Sequence, residues 1–513
     1  MGIPSYYKRL IDSVSGLVRK THPGSINWLW MDFNCMIYHC LRKPDTPVYP
    51  GEAGRIEWEK QFVDCVARYL IHIVGEVKPQ KGVYIAVDGV VPMAKMRQQR
   101  LRRFKSVWLT AAGLNEGSSA WDTNSITPGT AFMSTLKKRL EQVCAKHKTA
   151  KMEWILSSSD EPGEGEHKLM DVWRKTADIS GGHAVYGLDA DLIVLSLLNA
   201  RDGQTVWLFR EQIESGVIMR DAVGDEFYCW LSIDSLRDHI KDQIGSHTIK
   251  EYCFAMSVLG NDFLPSSLSF KMREDGHDAL LTALQDIKEP LLQDDGSIAW
   301  DGFKTLVRWL AKDEEARVER FVGRKLSMAN NYTGLPIGDN NWPLDQKEED
   351  ILVTRDDRGR YKLVPKWRDA YYRSWLPSGP KRPCSQYIYG VQWIWAYYTG
   401  QNSNVCFNWF YQDGVPPLWT DLQAYLCDYN SPFPGTIQIR REDIRPIEQL
   451  CLVLPLESWN LISHGANERR LVERAPWLFP DTFGFSSVGK RFFWECEAEI
   501  PVPSICEVKA ILA

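Results

Sequence analysis

The sequence predicts an α/β protein with a mostly parallel central sheet flanked by helices. Short apolar runs alternate with amphipathic segments through the first 270 of the 513 residues, which is typical of a parallel sheet whose strands are joined by helices. Three of the apolar runs end in aspartate, and aromatic residues become dense after residue 383. We therefore expect a ligand-binding sheet with a helical, aromatic-rich second region packed on it.

The strands and helices of the first region follow from hydrophobic spacing. Five apolar runs have the length of buried strands: Ile26–Asp32, Val83–Asp88, Met152–Leu156, Ala184–Asp189 and Thr205–Phe209. Between them, apolar residues recur at close to helical period, which predicts helices over Arg55–Val77, Ala131–Lys146 and Glu166–Lys175. Strand and helix in alternation predict the α/β core of residues 1–270.

The rest of the chain has a different pattern of residues. Three segments predict helices: Gly276–Leu292, Trp300–Leu310 and Glu314–Asn331. Gly334–Tyr361 is polar and rich in acids, Pro and Gly, which indicates a linker or surface loop. Residues 271–382 are therefore predicted to be a helical segment with a polar linker. Residues 383–513, which carry the aromatic run, are predicted to be a second region that completes the site.

Composition limits the classes of protein to consider. Hydrophobic residues make up 44% and charged residues 25% of the chain, typical of a soluble globular protein rather than a disordered one. The 12 cysteines form no C-x-x-C pair, which disfavours a disulfide framework or a zinc site. We find no apolar signal core and no run long enough to span a membrane. We expect a cytoplasmic monomer, with a nuclear location left open.

Acidic residues follow several of the predicted strands. Asp32, Asp88 and Asp189 end three of them. The carboxyl ends of parallel strands meet at one edge of a sheet, where open α/β sheets bind ligands. Four further acids are expected to join them there: Glu164, Glu166, Asp191 and Asp262. A single aspartate at a strand end is more often a helix cap or turn residue, but seven acids with three at strand ends are harder to explain that way.

Seven carboxylates in one crevice would repel one another strongly. Hard divalent cations relieve that repulsion, and an all-oxygen ligand set suits Mg²⁺ or Mn²⁺ better than zinc. Two such ions about 4 Å apart are a standard device for phosphodiester cleavage. The pattern therefore favours a two-metal nuclease with Mg²⁺ or Mn²⁺ as its cofactor.

A basic segment follows Asp88 directly. From Gly89 to Asn115 the sequence has six Lys or Arg and no acid, although the whole chain carries a net charge of −5. If Ala94–Lys105 is helical, one face carries Lys95, Gln99, Arg102 and Arg103. Guanidinium forks and an ammonium on one face bind phosphate well. The alternative is a solvated basic face, but the adjacency to Asp88 favours a phosphate pocket beside the metals.

These residues lie in motifs that resemble a known family. The motifs are Met-Gly-Ile-Pro-Ser-Tyr-Tyr at the N-terminus, Asp32-Phe-Asn-Cys, Val87-Asp88-Gly-Val with Ala94-Lys-Met-Arg-Gln-Gln-Arg-Leu-Arg-Arg-Phe104, Asn124-Ser-Ile-Thr-Pro-Gly-Thr130, Pro162-Gly-Glu-Gly-Glu-His-Lys168, Tyr186-Gly-Leu-Asp-Ala-Asp-Leu192 and Leu259-Gly-Asn-Asp-Phe-Leu-Pro265. Their order is that of Xrn-type 5′→3′ exoribonucleases. Later motifs resemble the second conserved region of that family: Gly390-Val-Gln-Trp393, Glu448-Gln-Leu450, Val453-Leu-Pro455, Gly489-Lys and Trp494-Glu495. The resemblance spans nearly the whole chain.

The resemblance implies a PIN/flap-nuclease-like core and a role for each matched residue. The metal-binding acids of the family fall on the seven carboxylates named above, and its pocket for the 5′-phosphate of RNA falls on Lys95, Gln99, Arg102 and Arg103. The family usually has a histidine that stacks on the first base. Here Tyr38 takes that place with His39 next to it, and a stacking tryptophan corresponds to Trp409, with Phe407 as the weaker candidate. Tyrosine can still stack on a base.

The function expected from this resemblance is degradation of 5′-monophosphorylated single-stranded RNA to nucleoside 5′-monophosphates. A flap-type DNA endonuclease is one alternative. Such enzymes follow their last aspartate with a glycine-rich DNA-binding hairpin, which is missing after Asp262. A catalytically inactive RNA-binding relative is the other alternative, and the presence of all seven acids argues against it.

Overall fold

The computed structural model of the protein describes residues 5–114, 121–176, 180–187, 189–214, 217–222, 224–428, 440–462 and 466–512. The first four residues of the N-terminal motif and Leu188, near the end of one predicted strand, lie outside the described residues.

The strands, in chain order, are β1 (Val18–Arg19), β2 (Trp28–Asp32), β3 (Gly82–Ala86), β4 (Glu153–Ser157), β5 (Gly181–Tyr186), β6 (Gln204–Glu211), β7 (Ile213–Glu214), β8 (Val217–Ile218), β9 (Tyr228–Ser232), β10 (Val353–Arg355), β11 (Tyr361–Leu363), β12 (Phe485–Ser486) and β13 (Glu497–Ala498).

The α-helices are α1 (Tyr6–Ser13), α2 (Asn34–Leu41), α3 (Arg55–Val77), α4 (Met93–Ala111), α5 (Ala131–His147), α6 (Gly165–Lys175), α7 (Asp191–Asn199), α8 (Ile233–Lys241), α9 (Ile249–Ala255), α10 (Gly276–Asp286), α11 (Trp300–Lys312), α12 (Glu314–Ala329), α13 (Trp342–Gln346), α14 (Trp367–Trp375), α15 (Lys381–Thr399), α16 (Trp419–Cys427), α17 (Pro446–Val453), α18 (Ala466–Arg474) and α19 (Ile505–Leu512).

A seven-stranded sheet in the order β1-β9-β6-β5-β2-β3-β4 forms the centre of the fold. The five predicted strands are its parallel part, with β2 paired to β3 on one side and to β5 on the other. Strands β3 and β4 lie on one side of β2, and β5 and β6 lie on the other. Such a reversal of strand order opens a crevice at the carboxyl edge of the sheet. The predicted α/β class is confirmed.

Side chains alternate between the two faces of the sheet. Leu29 and Met31 of β2 join a buried cluster with α3 and α5, whereas Trp30 between them joins the larger cluster on the opposite face. That larger cluster also takes in Tyr387, Val391, Trp393 and other residues of α15. The aromatic-rich second region therefore packs directly on the core, as the sequence predicts.

Some elements differ from the prediction. The helix that begins at Gly276 ends at Asp286, because Ile287 is already extended and Pro290 follows. Strands β9 and β1 extend the sheet with antiparallel pairs that the apolar-run pattern missed. The segment 334–361 contains more than a linker, since Trp342 and Leu352 are buried and β10 pairs with β11.

None of the helices in the described part of the chain combines the length and the apolar character needed to cross a bilayer.

Candidate active site

The first two carboxylates of the site lie on neighbouring strands. Asp32 ends β2 opposite Ala86, the last residue of β3, and Asp88 follows two residues later. Asp88 accepts hydrogen bonds from the Asn34 amide at 2.9 Å and from the Gly165 backbone N–H at 2.6 Å. Its own N–H donates to Asn34 at 3.1 Å. The carboxylate of Asp88 is therefore fixed by the start of α2 and the start of α6.

Helix α6 brings two more carboxylates to the same edge. Glu164 is its N-cap residue and Glu166 lies in its first turn, where the helix dipole favours negative charge. Both side chains are buried. A Cβ atom on Gly165 would come within 2.6 Å of the Asp32 carboxylate and 2.8 Å of the Ala86 carbonyl oxygen. Only glycine lets the helix begin this close to the strand ends.

The remaining acids come from the other side of the crevice. Asp189 is exposed in the turn after β5, and Asp191 is buried at the first position of α7. Asp262 lies two residues after Gly260, which has a φ of 91° and ends the 3-10 turn Met256–Leu259 that follows α9. A glycine is needed there, since other residues rarely adopt this backbone conformation. The structure thus brings all seven predicted acids to one crevice.

Mutual repulsion and burial raise the pKa values of several of these acids. Burial raises the pKa of Asp32 well above its usual range, and the nearby Asp88 and Asp189 raise it further. Burial likewise raises the pKa of Glu166, with Glu164 adding to it. Asp191 has its pKa raised to about 7 by burial and by Asp262. The site therefore has more negative charge than its surroundings stabilise.

Lys95 lies inside this cluster. Its ammonium contacts Glu164 at 2.6 Å and Asp262 at 2.9 Å. Burial alone lowers the pKa of Lys95, but the attraction of Asp262, Glu164 and Glu166 is larger and holds the pKa well above its usual value. The single ammonium group joins acids from opposite sides of the crevice and offsets part of their charge.

The donor set fits a hard divalent cation. Glu164, Glu166 and His167 each offer a ligand atom, and the three atoms lie within 4.8 Å of one another. The imidazole of His167 is buried, and its Nε2 atom lies 3.8 Å from a carboxylate oxygen of Glu166. Carboxylates with raised pKa values and a shortage of compensating charge are the groups that a bound cation stabilises. The acidic cluster could therefore bind metal, with oxygen as the main ligand type.

The four residues predicted for the phosphate pocket have different surroundings. Lys95 is paired with acids as described, and Arg102 is exposed. Gln99 is buried and accepts from the Gln449 amide at 3.3 Å. Arg103 is buried, and its Nη1 atom has no hydrogen-bond partner among the residues that the structure describes. On this face of α4, Lys95 and Gln99 are therefore paired with other side chains. Arg102 faces the solvent, and Arg103 is buried with an open donor at Nη1.

Arg103 lies next to two other predicted site residues. Burial lowers its pKa to about 10, while Tyr38 and Asp88 are close enough to counteract that effect in part. Tyr38 is half-buried on α2 and packs against the cluster that holds α3. The guanidinium of Arg103 therefore lies near both Tyr38 and Asp88.

The two other aromatic candidates are covered in the structure. Trp409 is 2% exposed, with its ring 5.2 Å from that of Trp393 and 5.5 Å from that of Tyr389. Phe407 is buried as well. Neither ring presents an open face to a base, so stacking by Trp409 stays a prediction that this packing does not support. His39 is buried and paired with Glu226 at 3.0 Å.

Sequence reasoning missed Tyr397. This buried tyrosine of α15 donates to Glu164 at 2.8 Å, and its ring packs on that of His167 at 3.8 Å. It joins the second region to the acidic cluster. Tyr397 lies four residues after Trp393 of the Gly-Val-Gln-Trp motif. Because residues four apart share a helix face, this spacing could have identified Tyr397 as a neighbour of the site.

Comparisons with known proteins show what this chain is similar to. The family model described as XRN 5'-3' exonuclease N-terminus matches residues 1–212, which contain six of the seven acids. The 5'-3' exoribonuclease 1 of Saccharomyces cerevisiae is 31% identical over 60% of this chain, and that of Homo sapiens is 26% identical over 98% of it. The Drosophila melanogaster 5'-3' exoribonuclease 2 homolog is 24% identical over 94% of the chain.

These relatives are longer proteins. The alignments span 22% of the yeast protein, 33% of the human protein and 65% of the Drosophila protein. The family model over the first region and the relatives aligned through the second agree with one another, and the chain is similar to Xrn-type 5′→3′ exoribonucleases over nearly its whole length.

Proposed function

We propose that this protein is a 5′→3′ exoribonuclease that removes nucleotides singly from 5′-monophosphorylated single-stranded RNA. The observation that carries the proposal is the cluster of seven carboxylates beside a buried guanidinium with an open donor, in a chain similar to this family. The products would be nucleoside 5′-monophosphates and an RNA one residue shorter. RNA degradation, including mRNA decay in the cytoplasm, is the process that such an activity serves.

The carboxylates would hold two Mg²⁺ or Mn²⁺ ions. When bound, such ions activate a water molecule for attack and stabilise the leaving oxygen. The acids themselves divide into an Asp32–Asp88–Glu164 side and an Asp191–Asp262 side, which Lys95 joins through its contacts with Glu164 and Asp262. The hydrogen bonds from Asn34 and Gly165 hold Asp88 in place throughout.

The 5′-phosphate would be bound by the basic face of α4. Arg103 supplies its open Nη1 donor there, and Arg102 adds a solvent-facing guanidinium. Gln99 orients its amide through Gln449, while Lys95 supplies positive charge between the phosphate and the acids. Tyr38 would stack on the first base. A pocket sized for one phosphate excludes capped and triphosphorylated ends, and each cleavage recreates a 5′-phosphate on the shortened strand.

A time course with Mg²⁺ and RNA labelled at its 5′ or 3′ end tests this function. We expect mononucleotides from the 5′ end, with faster cleavage of 5′-phosphate than of 5′-hydroxyl or capped RNA. Asp88→Ala and Asp191→Ala should abolish release while circular dichroism shows a folded protein. Wild-type rates in both variants would rule out the metal assignment, equal rates on the three 5′ ends would reject the phosphate pocket, and cleavage of a DNA flap alone would favour the endonuclease alternative.

A further inference from the structure

Helix α2 carries two residues of the site on one face. Asn34 at its start donates to Asp88 at 2.9 Å, and Tyr38, four residues later, lies near Arg103. Residues four apart share a helix face. The next residue, His39, is turned by about 100° from Tyr38 and is 5% exposed. Helix α2 therefore presents one side to the acidic crevice and another side to buried neighbours.

The buried side of α2 has a carboxylate as its partner. The Nε2 atom of His39 lies 3.0 Å and 3.2 Å from the two carboxylate oxygens of Glu226. Glu226 belongs to the segment between β8 and β9, and its side chain is 3% exposed. Burial acts to raise the pKa of Glu226, but the hydrogen bond and the charge of His39 outweigh it and hold the pKa at about 2. Glu226 is therefore an ionised group that depends on its buried donors.

Three further side chains bind the same carboxylate. Lys43, just after α2, donates to Oε1 at 3.1 Å, and Arg220 donates to Oε1 at 2.6 Å. Tyr69 of α3 donates to Oε2 at 2.7 Å, and its ring lies 4.8 Å from that of His39. The single carboxylate of Glu226 thus joins the end of α2 to α3.

Glu211 extends these contacts to the central sheet. The Tyr69 hydroxyl lies 2.7 Å from Glu211 Oε1, and the Tyr186 hydroxyl donates to the same oxygen at 2.7 Å. Glu211 ends β6 and Tyr186 ends β5, and both side chains are fully buried. The second half of α2 is therefore connected, through Glu226 and Tyr69, to the strand ends of the sheet.

We propose that Glu226 is a positioning residue for substrate binding. It acts through His39 to fix the second half of α2, so that Tyr38 can stack on the first base of the RNA. The inference rests on the proposed function, in which Tyr38 makes that stacking contact.

Two observations support this role. The bond from Asn34 to Asp88 holds only the start of α2, whereas a stacking ring has to be held in place by the packing around it. A buried ion pair contributes little net stability, because removing its charges from water is costly. The contacts of Glu226 therefore serve to fix geometry more than to raise the stability of the fold. Glu226 also lies beyond the residues 1–212 that the family model matches.

The test uses two 5′-phosphorylated RNAs that differ only at the first nucleotide, which either carries its base or is abasic. We expect wild-type protein to have a KM about tenfold lower for the RNA with the base, the size of one stacking contact. Glu226→Gln keeps the size of the side chain and removes its charge. It should raise the KM of that RNA about tenfold and leave the KM of the abasic RNA and both kcat values unchanged. A variant that was only less stable would change the two RNAs alike.

A double-mutant cycle tests whether Glu226 acts through Tyr38. Tyr38→Ala should raise the KM of the RNA with the base to the same extent as Glu226→Gln. In the Tyr38→Ala protein, Glu226→Gln should then have no further effect, because residues that act as one unit are not additive. Fully additive effects of the two substitutions on KM would overturn the positioning role.

Glu251 offers a matched control. It is another buried glutamate that pairs with a histidine, His247, at 3.3 Å, and it lies in the first turn of α9. Glu251→Gln should retain the wild-type difference between the two RNAs. Lys43→Met removes one of the four partners of Glu226 and serves if Glu226→Gln does not fold. It should raise the same KM by a smaller factor, and wild-type behaviour of both variants would contradict the proposal.

The outcomes separate this inference from the proposed function. If wild-type protein cleaves neither RNA, the proposed function fails. The positioning role is then decided by the fluorescence of 2-aminopurine at the first position of RNA bound in a chelator. Quenching by wild-type protein that is lost in Glu226→Gln supports the role, and equal signals refute it. If wild-type protein cleaves both RNAs with the same KM, the exonuclease stands, but stacking by Tyr38 and its positioning by Glu226 are both wrong.

Discussion

At the scale of single residues, Lys95 has the most informative position. Helical spacing groups it with Gln99, Arg102 and Arg103 as a phosphate ligand. The structure places its ammonium between Glu164 and Asp262. One side chain can serve both purposes, because a cation among acids lowers their repulsion and remains next to an arriving phosphate. The spacing of residues on a helix identifies the face but not the partner that each side chain finds.

Tyr397→Phe tests whether the second region positions a metal-binding acid. The change removes the hydrogen bond to Glu164 and keeps the ring contact with His167. Partners that orient metal ligands contribute about 10- to 100-fold to metal affinity or activity. We therefore expect the Mg²⁺ concentration for half-maximal activity to rise at least about tenfold, as measured by metal titration of the initial rate.

Tyr387→Phe is the matched control for this variant. Tyr387 is a buried tyrosine of the same helix, and within the described part of the chain its hydroxyl has no hydrogen-bond partner. Its removal should leave the metal titration unchanged. If Tyr387→Phe and Tyr397→Phe shift the titration equally, the effect belongs to the packing of α15 and not to Glu164.

At the scale of elements, α4 combines a functional and a structural side. Arg103 is buried with an open Nη1 donor, whereas Arg100, three residues earlier, donates to the backbone carbonyl oxygens of Pro501, Leu452 and Leu478. Arg100 thus joins α4 to the second region. A sequence pattern alone cannot separate the two arginines, since both are part of one basic run.

Arg103→Met and Arg100→Met should separate the two sides of α4. Removing a buried, incompletely paired charge costs little, so Arg103→Met should retain or raise the melting temperature. The preference of Arg103→Met for 5′-phosphate over 5′-hydroxyl RNA should fall by about tenfold or more.

Arg100→Met leaves buried carbonyl oxygens unsatisfied and should lower the free energy of unfolding by about 3 kcal/mol. Thermal denaturation and initial rates measure both, and an unchanged 5′-end preference in Arg103→Met would refute the role of that residue.

The predicted elements agree with the structure where the local spacing of apolar residues determines the secondary structure. Helix α3 has the predicted bounds, and the five parallel strands were all identified from apolar runs. Strands β1 and β9 were missed because β1 has only two residues and β9 pairs antiparallel at the edge of the sheet. The division into residues 1–270, 271–382 and 383–513 stays a prediction.

At the scale of the whole molecule, the site depends on packing between distant parts of the chain. Tyr397 reaches Glu164 across 233 positions of sequence, and Gln449 reaches Gln99 across 350. The second region thereby helps to close a site whose acids all lie in the first. Burial raises the pKa values of four of the acids, Asp32, Glu164, Glu166 and Asp191, which links the stability of the molecule to pH and to metal.

The metal-free protein should lose stability as the pH rises. The pKa of Asp191 is raised to about 7 in the folded protein, well above about 3.9 in an unfolded chain. Its contribution to stability is therefore fully present below about pH 4 and lost as the pH rises through about 7. Differential scanning fluorimetry in a chelator should show the melting temperature falling over this range.

Mg²⁺ should oppose that loss, because it binds the deprotonated acids and only the folded protein presents them together. We expect the rise in melting temperature on adding Mg²⁺ to be larger near pH 8 than near pH 6. Asp191→Asn should flatten the pH dependence of the metal-free protein. An equal Mg²⁺ shift at the two pH values would count against binding at these acids.

The sequence by itself determined the parallel sheet, the set of seven candidate acids and the resemblance of the chain to a known family. Each of these depends on local pattern: strand length, helical period and motif order. Only the tertiary structure decided which acids Lys95 joins, that Trp409 is covered by Trp393 and Tyr389, and that Tyr397 holds Glu164. Burial and pairing are set by contacts between residues far apart in sequence, and no local pattern specifies them.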